Sequence, residues 1–416
     1  MKTTPFYRSV CGAILIGVLL AISACTSDRD IYAAAPESVR ERIVQADKLI
    51  GQQKYLTAFE SLGDDDSDYI IAKKIAIVLK YFVASDRHLD FSLKDLEAEE
   101  DIEELRLYAE MAPPEEMIGF NPETAVQEYA AVHGMTPVLS AARGLYYYDI
   151  LFFAPFDWVL SEEAIIQRAH DDLQVAIDAD VYNADMLYKY AFLLYANHDF
   201  AGAADYFSRS TALDKKRGDA WFNYAFCEMQ QAQYDTAIVA ARRAVACYKN
   251  NPDYRLEAQL IIADAYAALG KYSDAEKQLQ KSKRTVTGSY VPPLRLGVLY
   301  LHQGNIAKAT HEFKTVYDAN KENGDMFSTI ITQYIQNNQA AAALDFCNDY
   351  IASSTDDLNM AMWYFFRAQI EASLGQREAA LISVDESERY FLQTDGENTQ
   401  QFDELREYIK TITAAP

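Results

Sequence analysis

The chain has 416 residues, half of them apolar, with 62 acidic against 38 basic side chains and a formal net charge of −24. A surface of that sign repels nucleic acid and anionic lipid, so neither is an expected partner. Five cysteines and six scattered histidines show neither a disulfide framework nor the spacing of a metal site.

Residues 1–24 read as a leader. Lys2 and Arg8 precede an apolar run from Val10 to Ile22, and Ile22-Ser23-Ala24-Cys25 closes it. The run is shorter than the roughly 20 residues that a helix needs to span a bilayer. An aliphatic residue, two small residues and a cysteine resemble a bacterial lipoprotein box. The resemblance implies cleavage before Cys25 and lipidation of its thiol, and Thr26 after it favours the outer membrane. Residues 25–35 are then a short polar tether. The leader holds two of the 38 basic residues and none of the 62 acidic ones, leaving 36 against 62 for the remainder.

Residues 36–112 are predicted as a helical N-terminal subdomain. Gln53-Lys54-Tyr55-Leu56-Thr57-Ala58 reads as an isolated early repeat, and Ile70-Ile71, Ile75 to Leu79 and Tyr81-Phe82 as one long buried face. Asp64-Asp65-Asp66 with Asp68 lacks the alternation and the distant glutamate of a calcium loop, and reads as a solvated helix-capping loop. Seven carboxylates between Asp95 and Glu104 read as a solvated helical face. Pro113-Pro114 break the pattern. Within the connecting segment 113–137, Asn121-Pro122 supply a cap and a first-turn proline for a helix.

From residue 138 to 394 a period emerges. Ala169, Ala203 and Ala237 lie 34 residues apart, as do Ala275 and Ala309. Around them an apolar helical stretch ends at Gly or Asn, and a second amphipathic helix follows, as at Gly270-Lys271-Tyr272-Ser273-Asp274-Ala275 and Gly304 to Ala309. The alanine is small because two antiparallel helices cross there, with a bulky residue such as Phe207 or Phe313 one turn later. Such units bury their apolar faces only by stacking.

This pattern resembles the tetratricopeptide repeat (TPR) family. The residues that carry the likeness are Trp221-Phe222-Asn223-Tyr224-Ala225, Tyr234-Asp235-Thr236-Ala237, Ala244, and Leu296-Gly297 with Tyr300 ahead of Gly304. Ala368, Gly375 and Ala380 make a last copy, and Gln339 to Phe346 a degenerate one. Ser210 and Ser282 depart from the family's alanine. Extra residues around Asn250-Asn251-Pro252-Asp253 lengthen one connection, where a bend is expected. In residues 395–416, Phe402, Leu405, Tyr408-Ile409 and Ile412 share one helix face that closes the stack. The predicted fold is all-α, a right-handed α-α superhelix (TPR-like solenoid) of six or seven helical pairs, with an N-terminal helical extension and a C-terminal capping helix.

The resemblance also implies a binding face. First helices line the concave side of a TPR stack, and alignment places there Tyr188, Phe192 and Tyr195, then Phe222, Phe226 and Met229, then Leu294, Val298 and Leu301. An apolar run at positions usually polar needs a cover. Two covers stay open: the chain's own Tyr146-Tyr147-Tyr148 with the insertion from Phe152 to Trp158, or a partner helix or peptide. Glu257 and Ile261 stand where a clamp for a peptide's C-terminal carboxylate would need lysine and arginine. Cys227, Cys247 and Cys347 are expected to be buried, unbridged thiols.

No nucleophile, phosphate-loop or zinc motif is present, and His302 and His311 fall on different helices without the carboxylates of a metal site. The reading is therefore no enzyme and no cofactor or metal. It is a membrane-tethered TPR scaffold lipoprotein that binds an envelope or secreted protein through its concave groove, its body in the periplasm, in assembly or regulation of an envelope complex. The alternative is a ligand-handling lipoprotein whose internal apolar cavity or pore serves a solute transporter.

Overall fold

A computed structural model describes residues 30–64, 66–87, 89–111, 117–153, 160–320, 324–353, 355–394 and 399–412. The leader with Cys25, the Pro113-Pro114 break and most of the Phe152–Trp158 insertion lie outside the described residues. The chain divides into two compact units, Met1–Cys247 and Tyr248–Pro416.

The first unit begins with α1 (Glu37–Ile50), α2 (Tyr55–Ser61) and α3 (Asp68–Tyr81). The apolar residues of α3 serve two cores. Ile70, Ile77 and Val78 pack with Val39, Ile43 and Phe59, whereas Ala72 and Ile75 join the cluster of the helices that follow. A helix covered on both sides reads as one continuous apolar run, so the single buried face expected from the sequence is two. The segment is also not wholly helical. Phe82 turns to extended backbone and leads into an antiparallel hairpin of β1 (Ala84–Asp86) and β2 (Asp90–Ser92) that pairs Ser85 with Phe91. The Arg106 guanidinium, on α4 (Ile102–Met111), donates to the Lys80 and Phe82 carbonyls at 2.8 Å each. It thereby satisfies carbonyls that the end of α3 leaves free.

The acidic run is a helical face only at Glu103 and Glu104, which lie exposed on α4. Residues 93–101 form a loop, which docks on the turn before α2 through a Leu96 N–H to Gln53 carbonyl bond of 2.9 Å. Lys54, at the start of α2, offers no side-chain cap. Asp95 supplies one from across the fold, accepting the Thr57 N–H at 3.0 Å and the Thr57 hydroxyl. Asp101 does the same locally for α4, accepting from Glu103 and Glu104. Asp95→Ala is expected to cost about 1–2 kcal/mol, as for a lost N-cap. Amide exchange confined to α2 and the 93–101 loop would show it, and unchanged protection there would remove the capping role.

Next come α5 (Pro122–His133), α6 (Pro137–Phe153), α7 (Glu162–Asp178), α8 (Ala184–Ala196), α9 (Phe200–Leu213), α10 (Gly218–Gln230) and α11 (Tyr234–Cys247). Asn121 caps α5 by accepting the Thr124 N–H at 3.0 Å, with Pro122 opening the helix. Helices α6/α7, α8/α9 and α10/α11 pack as adjacent antiparallel pairs.

The second unit repeats the scheme with α12 (Pro252–Ala268), α13 (Tyr272–Ser282), α14 (Val291–His302), α15 (Ile306–Asp318), α16 (Gly324–Gln336), α17 (Ala340–Ser353), α18 (Asp357–Ser373) and α19 (Arg377–Gln393). A last helix, α20 (Gln400–Thr411), places Phe402, Leu405 and Ile409 against Ala368, Ala380 and Val384. Tyr408 of the same helix is exposed. The extra residues around Asn250 fall where the chain divides.

The alanine register is met in full. Ala169, Ala203, Ala237, Ala275 and Ala309 each have no exposed surface, and so do Ala343 and Ala380 in the copies that follow. Any larger side chain there would separate the crossing helices. Ser210 replaces alanine seven residues after a crossing, where a buried hydroxyl needs a partner; it donates to the Ala184 carbonyl of the paired helix at 2.7 Å. Ser387 repeats this with the Ala361 carbonyl at 2.6 Å, while Ser282 turns back to Gln278 of its own helix. The turn between paired helices needs a left-handed residue. Gly270 and Gly304 adopt φ of 70°, but two other repeats hold His198 and Ala232 there at 62° and 58°, a strain of about 1–2 kcal/mol each.

Candidate protein-binding site

The first helices α6, α8 and α10 lie side by side in the first unit, and their aromatic side chains meet across the joints. Tyr148 of α6 packs edge-on to Phe192 of α8, with ring centroids 6.4 Å apart. Phe192 lies 5.7 Å from Tyr195, and Tyr195 meets Phe226 of α10 edge-on at 5.8 Å. The two contacts between helices have the edge-to-face geometry that aromatic quadrupoles favour, whereas Phe192 and Tyr195 are tilted at 41°. Phe192, Tyr195, Phe222, Phe226 and Met229 are all partly buried.

Tyr188 does not belong to that row. Only 2% exposed, it packs on Phe207 of α9 at 5.5 Å, with the Arg217 guanidinium 4.3 Å above its ring. Its hydroxyl oxygen accepts from Asn223 Nδ2 at 3.2 Å. In the second unit Leu294 and Val298 are partly buried against the core, and Leu301 is a core residue at 3% exposure. Helix α16 packs on α14, so Leu301 is covered by protein and lines no groove. Tyr146 and Tyr147 are also core. The Tyr147 hydroxyl donates to Glu123 at 2.7 Å and accepts from Arg168 at 2.6 Å, tying α5, α6 and α7 together. Of the three successive tyrosines only Tyr148 reaches the row.

Beside the aromatic row runs an ion network that sequence reasoning missed. Lys189 Nζ lies 3.0 Å from Asp149 of α6 and 3.5 Å from Asp185. Asp185 also takes Arg217 at 2.9 Å, and Arg217 Nε reaches Asp219 at 3.3 Å. Five charges thus link α6, α8 and the start of α10. Burial penalises ionised Asp185, yet Lys189 and Arg217 outweigh that penalty and hold its carboxyl well below the usual range. Burial also opposes the Lys189 charge, but Asp149 and Asp185 overcome it and push the ammonium up to about 12. For Asp149 and Asp219 burial prevails, and both carboxyls stand above the ordinary value despite their cations. Two signals were available in the sequence: the Asp185–Lys189 spacing of one helical turn, and the 34-residue interval from Asp185 to Asp219.

In the second unit Arg295 of α14 pairs with Asp264 of α12, bridging first helices in the same manner. Of the clamp positions, Glu257 is exposed and Ile261 is buried. Cys227 and Cys347 are buried, whereas Cys247 is only partly so, its Sγ 3.7 Å from the Lys215 carbonyl. Burial pushes the Cys227 thiol up to about 12, which leaves it unreactive. Among the described residues no group of three or more His, Cys, Asp or Glu side chains is placed to hold a metal ion. None of the described helices is long and apolar enough to cross a membrane.

Comparison with known proteins identifies one stretch of the chain. Residues 194–260, from the end of α8 into α12, match the tetratricopeptide repeat family model. No curated protein matches the chain significantly. Among solved structures, a tetratricopeptide repeat protein from Parabacteroides merdae is 17% identical, with 64% of this chain and 99% of that one aligned at a TM-score of 0.40. The C-terminal part of a TPR repeat-containing protein from Cytophaga hutchinsonii is 13% identical over 56% and 88% of the two chains, with a TM-score of 0.41. YrrB, a TPR protein with an unusual peptide-binding site, is 16% identical over 45% and 94%, with a TM-score of 0.32. The fold is all-α and TPR-like.

Proposed function

We propose that this TPR-type protein is a lipid-anchored scaffold, tethered through Cys25 at the outer membrane with its body in the periplasm. It binds a segment of another envelope or secreted protein on the face built by α8 and α10, in assembly or regulation of an envelope complex. The observation that supports the binding reading is the row Phe192–Tyr195–Phe226, which crosses two first helices, is only partly buried and lies beside an ion network. Aromatic side chains offering both apolar area and a polar rim are what binding hot spots are made of. The lipobox-like leader supports the tether.

The test has two arms. Photo-crosslinkers at Phe222 and Met229 in the native envelope should capture a discrete partner, and Phe192→Asp with Phe226→Asp should abolish that capture with helical circular dichroism unchanged. Capture that survives the double substitution, or unfolding caused by it, would remove this face as the binding site. Separately, Cys25→Ser should release the protein into soluble fractions; retention at the membrane would end the lipid-anchor proposal.

A further inference from the structure

Helices α8 and α10 carry one pattern at a 34-residue offset: Asp185 and Asp219, Tyr188 and Phe222, Phe192 and Phe226, Tyr195 and Met229. Each helix therefore presents a carboxylate near its start and an aromatic residue two turns later, about 10 Å along the axis. Within the ion network Asp149 is the least exposed at 15%, but the other two carboxylates lie outermost. The side chains of Asp185 and Asp219 are 44% and 30% exposed, against 20% for Lys189 and 18% for Arg217. An approaching partner meets oxygens before it meets nitrogens.

The two carboxylates are not equivalent. Asp185 is held by both Lys189 and Arg217, and Lys80, exposed on α3, faces it as well. Asp219 has Arg217 as its one ion-pair partner among the described residues. Burial that Arg217 does not fully offset keeps the Asp219 carboxyl above its usual range. Its charge is the under-compensated one, and Phe222, Phe226 and Met229 follow it on the same helix face.

We infer that the partner's segment, on the protein-binding reading above, is extended and sets a lysine or arginine against Asp219, about three residues from a bulky apolar side chain on Phe226 and Met229. An extended chain rises about 3.3 Å per residue, so three residues cover the separation. The excess of acidic over basic side chains in the whole chain favours approach of such a segment.

A phage library of random twelve-residue peptides, selected on the immobilised full chain, tests this directly. Selected peptides should carry Lys or Arg about three positions from Phe, Tyr, Trp, Leu or Ile. A synthetic copy of the leading peptide should lose about tenfold in affinity on Asp219→Asn, or on replacing its basic residue by Gln. The two changes together should cost no more than one alone, since they break one interaction. Asp219→Asn keeps the side-chain shape and an acceptor for Arg217, and circular dichroism checks that the fold survives. Peptides that depend on Phe226 but carry no basic residue would overturn this inference and leave the binding face standing. Peptides indifferent to both Asp219 and Phe226 would overturn both.

Discussion

Replacing Gly297 with alanine is expected to destabilise the second unit by about 2 kcal/mol, as for an overpacked core, although alanine is the better helix former by about 1 kcal/mol. The reason lies across the helix pair. A Cβ on Gly297 of α14 would sit 2.3, 2.6 and 2.7 Å from ring carbons of Phe313 on α15, inside any real carbon–carbon contact. The ring has nowhere to go, because Phe313 has no exposed surface and meets Tyr334 edge-on at 5.1 Å. Denaturant unfolding followed in the second unit measures the effect. Phe313→Leu in the Gly297→Ala background should recover part of the loss while costing stability alone, a coupling that a double-mutant cycle reads out. A neutral or stabilising Gly297→Ala would show that α14 and α15 do not approach this closely.

Arg217→Met is expected to lower the stability of the first unit by about 2 kcal/mol at pH 7. That value lies between the cost of breaking a buried pair and that of an exposed one, since Arg217 is 18% and Asp185 44% exposed. Part of it is the lost cation over the Tyr188 ring, worth about 0.5–1 kcal/mol. The rest should depend on pH. Asp185 is depressed in the folded state by Lys189 and Arg217 acting against burial. Its contribution is therefore fully present above the unfolded carboxyl value of about 4 and is lost as pH falls toward the folded one. Asp149 and Asp219 stand above the usual range and run the other way, becoming easier to hold as they protonate. The gap between wild type and Arg217→Met should thus shrink below about pH 4. A gap of constant size from pH 7 to pH 3 would assign the whole effect to packing.

The two substitutions probe positions that differ in how far sequence pattern exposes them. Gly297 stands in a family-like phrase with Leu296 and Tyr300, and the structure shows why it is small, since Phe313 leaves no room for a Cβ. The crossing alanines are legible because one constraint, repeated at a fixed interval, leaves a periodic mark. Arg217 leaves none. It immediately precedes α10, with Asp219 two residues on and Asp185 two helices back, so the Asp185–Lys189 spacing marks one pair but nothing in the sequence joins that pair to Asp149, Arg217 and Asp219.

The acidic run between Asp95 and Glu104 makes the same point from the other side. Composition suggests a solvated helix, but Asp95 is spent capping α2 and Asp101 capping α4. A cap supplied by a residue 38 positions away is a tertiary contact with no sequence period. The hairpin after α3 is equally silent, because strands of three residues carry too little alternation to read.

What the sequence determined by itself is the repeating unit: helix pairs, the alanine where each pair crosses, and the aromatic residues that first helices bring to one face. Periodic burial writes itself into composition at every copy, so these survive reading without coordinates. The tertiary structure decided which of those aromatics remain at the surface. It drew Tyr188 and Leu301 into the core, left Phe192, Tyr195 and Phe226 only partly buried, and set an ion network beside them. Exposure depends on which neighbour covers a position, and that neighbour comes from elsewhere in the chain.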